Sequence, residues 1–128
     1  MSNYPKISIL TPVYNRSKWL PLMLCNIVNF DYEKKDIEWF LLDSKDGDED
    51  VKLIPDEMTL KNIQDIIHPI KLRYQYINRK MTIAEKRTYL SKNMSHPWFA
   101  NMDSDDIYME GYLKYSIDLC KKNKVGLC

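Results

Sequence analysis

The segment NMDSDDIYM, residues 101–109, sets Asp103, Asp105 and Asp106 within four residues, with Trp98, Phe99 and Ala100 before and Ile107, Tyr108 and Met109 after. Carboxylates this close repel one another unless a cation sits between them. A hard divalent cation takes oxygen ligands, commonly one or two carboxylates together with substrate phosphates. The D-x-D pair of Asp103 and Asp105 therefore reads as a candidate Mg2+ or Mn2+ site on a strand-end turn. The plain alternative is a helix start with solvated acids, and Asp106 suits that role because Asp is a favoured N-cap.

Three further stretches carry chemistry-bearing residues. TPVYNR, residues 11–16, follows an apolar run directly. Tyr14 could stack on a planar base, an interaction worth roughly 1–3 kcal/mol, and Arg16 could meet phosphate oxygens. A strand-end aromatic and a surface charge account for the same residues more simply. DSKDGDED, residues 43–50, looks mildly like a calcium loop, but counting from Asp43 puts Lys45 at the third position and Asp48 at the sixth, where glycine belongs. Asp43 could instead accept a hydrogen bond from a ligand. IAEKRTYL, residues 83–90, sets Lys86 and Arg87 near a helix start, against the helix dipole. A bound anion would offset that, and so would an ordinary solvated face. His68 and His96 each precede proline and have no second ligand at metal spacing. No G-x-S-x-G elbow, P-loop or G-x-G-x-x-G motif is present, and three glycines in the chain exclude a glycine-rich phosphate cradle.

The elements that must position these residues follow from the apolar patterning. KISIL, residues 6–10, reads as a buried strand, as do residues 37–42, 72–77 and 98–102. Helices are expected from a Ser17 cap to about Asn29, over 57–67, over 83–93 and over 110–122. Thr82 with Glu85 three residues on predicts a capping box. Residues 125–128 could begin a fifth strand. Alternating strands and helices predict an α/β fold, a mainly parallel sheet flanked by helices. In such a sheet ligands bind beyond the carboxyl ends of the strands, and Thr11–Arg16, Asp43–Asp50 and Asp103–Asp106 all fall there.

The whole chain bounds the function. Its 128 residues make one domain, 45% hydrophobic and 29% charged, hence globular. A net charge of +1 gives no electrostatic footprint for nucleic acid. No apolar run approaches the roughly 20 residues that span a bilayer, so a cytoplasmic protein without a membrane segment is expected. Cys25, Cys120 and Cys128 lack metal spacing and are expected as free thiols in a reducing compartment.

Taken in order, ISILTPVYNRSKWL, IEWFLLDSKDGDED and IAEKRTYLSKNMSHPWFANMDSDDIYM resemble the nucleotide-sugar glycosyltransferases of the GT-A fold, family-2 type. The resemblance runs from about residue 6 to 128. It implies a Rossmann-like GT-A domain that binds a nucleotide-sugar donor, in the first instance a UDP-sugar, and transfers the sugar to a hydroxyl of an unknown sugar, lipid or protein acceptor. Pro12 and Tyr14 would line the base site. Asp43 or Ser44 would meet the base edge, and Arg87 would lie near the base or diphosphate. Asp103 would face the ribose or the metal's water shell, and Asp105 would bind Mn2+ or Mg2+. Ser44 stands where the family often carries a second Asp. Family members normally continue into an acceptor part that supplies the catalytic base; residues 1–128 would be a truncated or minimal donor-binding domain, with an open edge at 125–128 that could pair in a homodimer. The other reading is a nucleotide-binding module without transfer activity.

Overall fold

The computed structural model describes residues 4–13, 20–44, 53–103 and 106–122. Within them the order is β1 (Ile7–Pro12), α1 (Leu20–Asn29), β2 (Ile37–Ser44), α2 (Glu57–Ile67), β3 (Lys71–Ile77), α3 (Ile83–Asn93), β4 (Trp98–Asn101) and α4 (Tyr112–Lys122). The strands pair in parallel in the order β3-β2-β1-β4. The α/β expectation is borne out.

The central strands explain their own composition. Every residue of β1 (ISILTP) and β2 (IEWFLLDS) is buried, as expected of parallel strands covered by helices on both faces. Side chains alternate between two cores. Ile7, Ile9, Trp39 and Leu41 pack with Met23 and Ile27 of α1, Ile63 and Ile67 of α2, and Leu113 and Ile117 of α4. Leu10, Phe40 and Leu42 face the other way, onto Met81 and Leu90. Trp39 ties the two central strands together, since its Nε1–H donates to Thr11 Oγ1 at 2.9 Å with both residues fully buried.

The helix starts follow local chemistry. The Asp56 carboxylate accepts from the Thr59 N–H at 2.7 Å and caps α2. At α3, Glu85 N donates to Thr82 Oγ1 and Thr82 N donates to Glu85 Oε1, both at 3.1 Å. This is the capping box that the T-x-x-E spacing predicts.

Topology then fixes where a ligand would sit. Progress along the chain builds the sheet outward from β1 through β2 to β3; α3 then carries the chain back to place β4 on the opposite side of β1. Strand order therefore reverses between β1 and β4, and the crevice beyond their carboxyl ends is the switch point where such sheets bind ligands. Pairing continues past the strand ends: Val13 N donates to Leu42 O at 2.7 Å, and Met102 N to Leu10 O at 2.9 Å.

Several boundaries differ from the patterning. β1 runs to Pro12 and β2 to Ser44, because Asp43 and Ser44 still pair with Tyr76 and Ile77 of β3. Strand β4 stops at Asn101, and α4 starts at Tyr112 rather than Glu110. The Ser17 cap and the fifth strand at 125–128 lie outside the described residues. Cys25 is a free, exposed thiol. Cys120 is disulfide-bonded, which corrects the expectation of a free thiol there and removes its support for a reducing compartment. Among the described residues no helix is long and apolar enough to cross a membrane.

Replacing Trp39 by Phe deletes the indole donor and leaves the Thr11 hydroxyl buried without it. The expected loss of stability is about 1–3 kcal/mol, read from chemical denaturation. A midpoint equal to that of the parent would show that this cross-strand bond contributes nothing.

Candidate functional site

The switch point is built from the ends of β1 and β4 and the first turns of α3. Lys86 leaves α3 as a fully buried side chain, and its Nζ donates to the carbonyl of Val13, just past β1. A buried ammonium is tolerated only where its donors are satisfied, so this bond fastens the start of α3 to the end of β1. Beside it, Arg87 is half exposed and reaches the turn after β4: its Nη2 lies 3.2 Å from Asp103 Oδ1. A pair this exposed contributes about 0–1 kcal/mol to stability. Its effect is to orient the carboxylate at the mouth of the crevice.

The backbone around Asp103 is held from two directions. Its N–H donates to Tyr108 Oη at 2.7 Å. Tyr108 N–H donates to Asn26 Oδ1 at 3.1 Å, and Asn26 Nδ2 donates to the Asp106 carbonyl at 2.7 Å. The Tyr108 ring packs 4.9 Å from Tyr112 and 6.4 Å from Phe30, centroid to centroid. Burial pushes its hydroxyl up to about 12, with the backbone bond from Asp103 opposing and the Asp103 charge reinforcing. Tyr112 reaches the other side of the same strand end, donating to Asn101 O at 3.0 Å.

At the end of β2 the two candidate base-edge residues differ. Asp43 is buried, and its carboxylate is engaged by three donors at 2.8 Å: Ser44 N, Leu53 N and Tyr74 Oη. Those bonds join β2, β3 and the segment leading to α2. The Tyr74 hydroxyl is raised well above its usual range, first by burial and then by its bond to Asp43. The Ser44 hydroxyl is also buried but has no hydrogen-bond partner among the described residues. Of the pair, Ser44 is the one with hydrogen-bonding capacity to spare.

Pro12, Asp43, Ser44, Arg87 and Asp103 thus gather along the carboxyl edge of the sheet, and Arg87 and Asp103 touch. Tyr14, Arg16 and Asp105 lie outside the described residues. Among the described residues no group of three or more His, Cys, Asp or Glu side chains could hold a metal. Asp103 is the described member of the candidate donor set. Its carboxylate is a hard oxygen donor, is partly exposed at the strand end, and suits Mg2+ or Mn2+ rather than a softer ion. Asn26, Tyr74 and Tyr108 were not singled out by the sequence reading. Asn26 did carry a signal, being a polar residue on the stripe with Met23 and Ile27. Tyr74 and Tyr108 had none, because their polar ends meet partners set by the fold.

A parallel sheet with its polar strand ends gathered at a β1–β4 switch point is the architecture of the GT-A class of glycosyltransferases. The family model described as glycosyl transferase family 2 matches residues 8–128, and the chain belongs to that family. Among solved structures, S. aureus TarS 1–349 in complex with UDP is similar with a TM-score of 0.70 at 18% identity, over 93% of this chain and 33% of that one. The mannosyltransferase PcManGT from Pyrobaculum calidifontis, in complex with GDP-Man and Mn2+, is similar with a TM-score of 0.69 at 19% identity, over 92% of this chain and 33% of that one. The chain spans about a third of the length of these two structures. No curated protein matches it.

Two outcomes follow from these bonds. Asp43→Ala strands two backbone donors and a buried phenol, and is expected to cost more than Tyr74→Phe, which removes one donor and about 1 kcal/mol; equal losses in urea denaturation would contradict this. The raised hydroxyls of Tyr74, Tyr108 and Tyr112 make stability pH-dependent. Their contribution is full below about pH 10, where the unfolded chain titrates, and is lost as pH climbs through the higher folded values, because the unfolded state sheds its protons first. A pH series of unfolding midpoints should show the decline above pH 10, with tyrosinate absorbance appearing as the protein unfolds.

Proposed function

We propose that this chain is the donor-binding part of a metal-dependent glycosyltransferase that moves a sugar from a nucleoside-diphosphate sugar, in the first instance a UDP-sugar, to an acceptor hydroxyl. The observation that carries the reading is the Arg87–Asp103 pair at the β1–β4 switch point, 3.2 Å apart. A cation and a carboxylate side by side at the mouth of that crevice suit a ligand with both phosphates and a ribose or metal to offer. Two similar structures support it from outside: TarS was solved with UDP and with UDP-GlcNAc, and PcManGT with GDP-Man and Mn2+.

In this reading each residue has a task. Tyr14 stacks against the base with Pro12 beside it. Ser44 meets the base edge with its unpartnered hydroxyl, while Asp43 keeps the end of β2 in place. Arg16 and Arg87 face phosphate oxygens, with which guanidinium groups make strong charge-assisted bonds. Asp103 and Asp105 would hold Mn2+ or Mg2+. A divalent cation there supplies Lewis-acid stabilisation of the charge that gathers on a departing diphosphate. Arg87 adds positive charge on the same side, and Asp103 sets where that charge sits. The acceptor is a sugar, lipid or protein hydroxyl, and the base that takes its proton is assigned to no residue of this chain.

The test is a thermal-shift panel of UDP, GDP and their sugar conjugates, each with Mn2+ and with chelator. A nucleotide at about 100 times its dissociation constant should add roughly 2.7 kcal/mol of stability, only with Mn2+, and Asp105→Ala should abolish the gain. No shift with any nucleotide would overturn the reading. Binding without sugar transfer to any acceptor in a full panel would favour the nucleotide-binding module.

A further inference from the structure

Strand β3 is the last strand on its side of the described sheet. An outer strand offers its backbone as a template for another chain, and the side chains of β3 do not forbid that. Leu72 and Tyr74 pack onto the larger core. Arg73 turns to the other face, its guanidinium 4.1 Å from the Phe40 ring centroid, with exposed Lys71 and Gln75 on the same side. The seven residues Lys71–Ile77 can be laid antiparallel on a second copy about Tyr74. Tyr74 then faces Tyr74, Arg73 faces Gln75 and Lys71 faces Ile77. No like charges stand opposite one another, which is the arrangement that would destabilise such a pairing.

The obstacle is one side chain of α2. Gln64 Nε2 donates to the Ile70 carbonyl at 2.7 Å, and the Leu72 N–H donates to Gln64 Oε1 at 2.8 Å. Backbone groups two residues apart point the same way along a strand, so these two belong to the outer edge, and the inner edge is left to pair with β2. A carboxamide carries a donor and an acceptor together, as a peptide unit of a neighbouring strand would. Gln64 sits between Ile63 and Ile67, both buried, so α2 holds the amide in place. A carboxylate there would lack the donor, and an aliphatic side chain would leave both backbone groups open.

We propose that Gln64 closes the β3 edge against a second copy of this chain, and that removing its amide converts β3 into a self-pairing surface. The inference does not depend on what binds at the carboxyl edge of the sheet.

The test compares the parent with Gln64→Leu by sedimentation over a concentration series, with amide exchange at Leu72 and Tyr74 followed by NMR and the fold checked by circular dichroism. In the parent the Leu72 amide should be protected, independently of protein concentration. In Gln64→Leu it should exchange faster in dilute solution. Self-association should tighten roughly 10-fold or more, the order of the hydrogen bonds regained between copies, and protection at Tyr74 should rise with concentration. Adding Gln75→Arg sets arginine opposite Arg73 and should reverse the association. Gln64→Met, which keeps the side-chain length, is read in the same way if Gln64→Leu does not fold. An unprotected Leu72 amide in the parent would overturn the inference without any variant. A natively folded variant that sediments like the parent would overturn it, as would association that leaves Tyr74 exchange unchanged.

Discussion

The structure depends on one constraint: β1 and β2 are buried along their whole length. A strand covered on both faces has no room for a working polar side chain in its middle. Ser8, Thr11 and Glu38 are the polar exceptions before the strand ends, and Thr11 is bonded to Trp39. Chemistry is thereby pushed to the ends of the strands, and the parallel direction puts those ends on one edge. The reversal of strand order beside β1 then opens a crevice at that edge. Arg87 and Asp103 meet there because α3 and β4 are the elements that border it.

Much of this was legible beforehand. Alternating apolar runs marked each strand and helix, and T-x-x-E marked the start of α3 to the residue. The carboxyl-edge rule puts Pro12, Asp43, Ser44 and Asp103 at strand ends, whereas Arg87 enters only through its place near a helix start and the family resemblance. What patterning does not carry is the partner of each polar atom. Asp43 was read as a ligand contact, and its carboxylate is filled by Leu53, Ser44 and Tyr74. Lys86 was weighed as an anion contact, and its ammonium holds the Val13 carbonyl. In both cases the partner is distant in sequence and reached through the fold. Periodicity reports which face a residue takes; it is silent on what waits there. Ends of elements slipped for a related reason, since β2 lasts as long as β3 is there to pair with it.

Buried polar groups in this chain share a pattern. Asn26, Asp43 and Lys86 each bond to main-chain atoms of a segment that leaves a strand end or leads into a helix. Such groups contribute little net stability when satisfied and destabilise strongly when half satisfied. Their yield is a single arrangement of the loops around a crevice. Apolar packing makes the sheet, and a few committed polar atoms decide how its edge is laid out.

The pairing of Ile7 with Trp98 has a kinetic consequence. Most of the chain lies between those two residues, whereas β1 with β2 and β2 with β3 are joined by short crossovers. Closing a longer loop carries a larger entropy, though it grows only slowly with length, and non-local pairings form late when local ones can form first. Strand β4 has also to wait for α3 to cross the sheet. Asp103 follows β4, so its place beside Arg87 depends on this long-range pairing. An incompletely folded chain of this kind would keep β1, β2 and β3 paired while Asp103 and Arg87 are still apart.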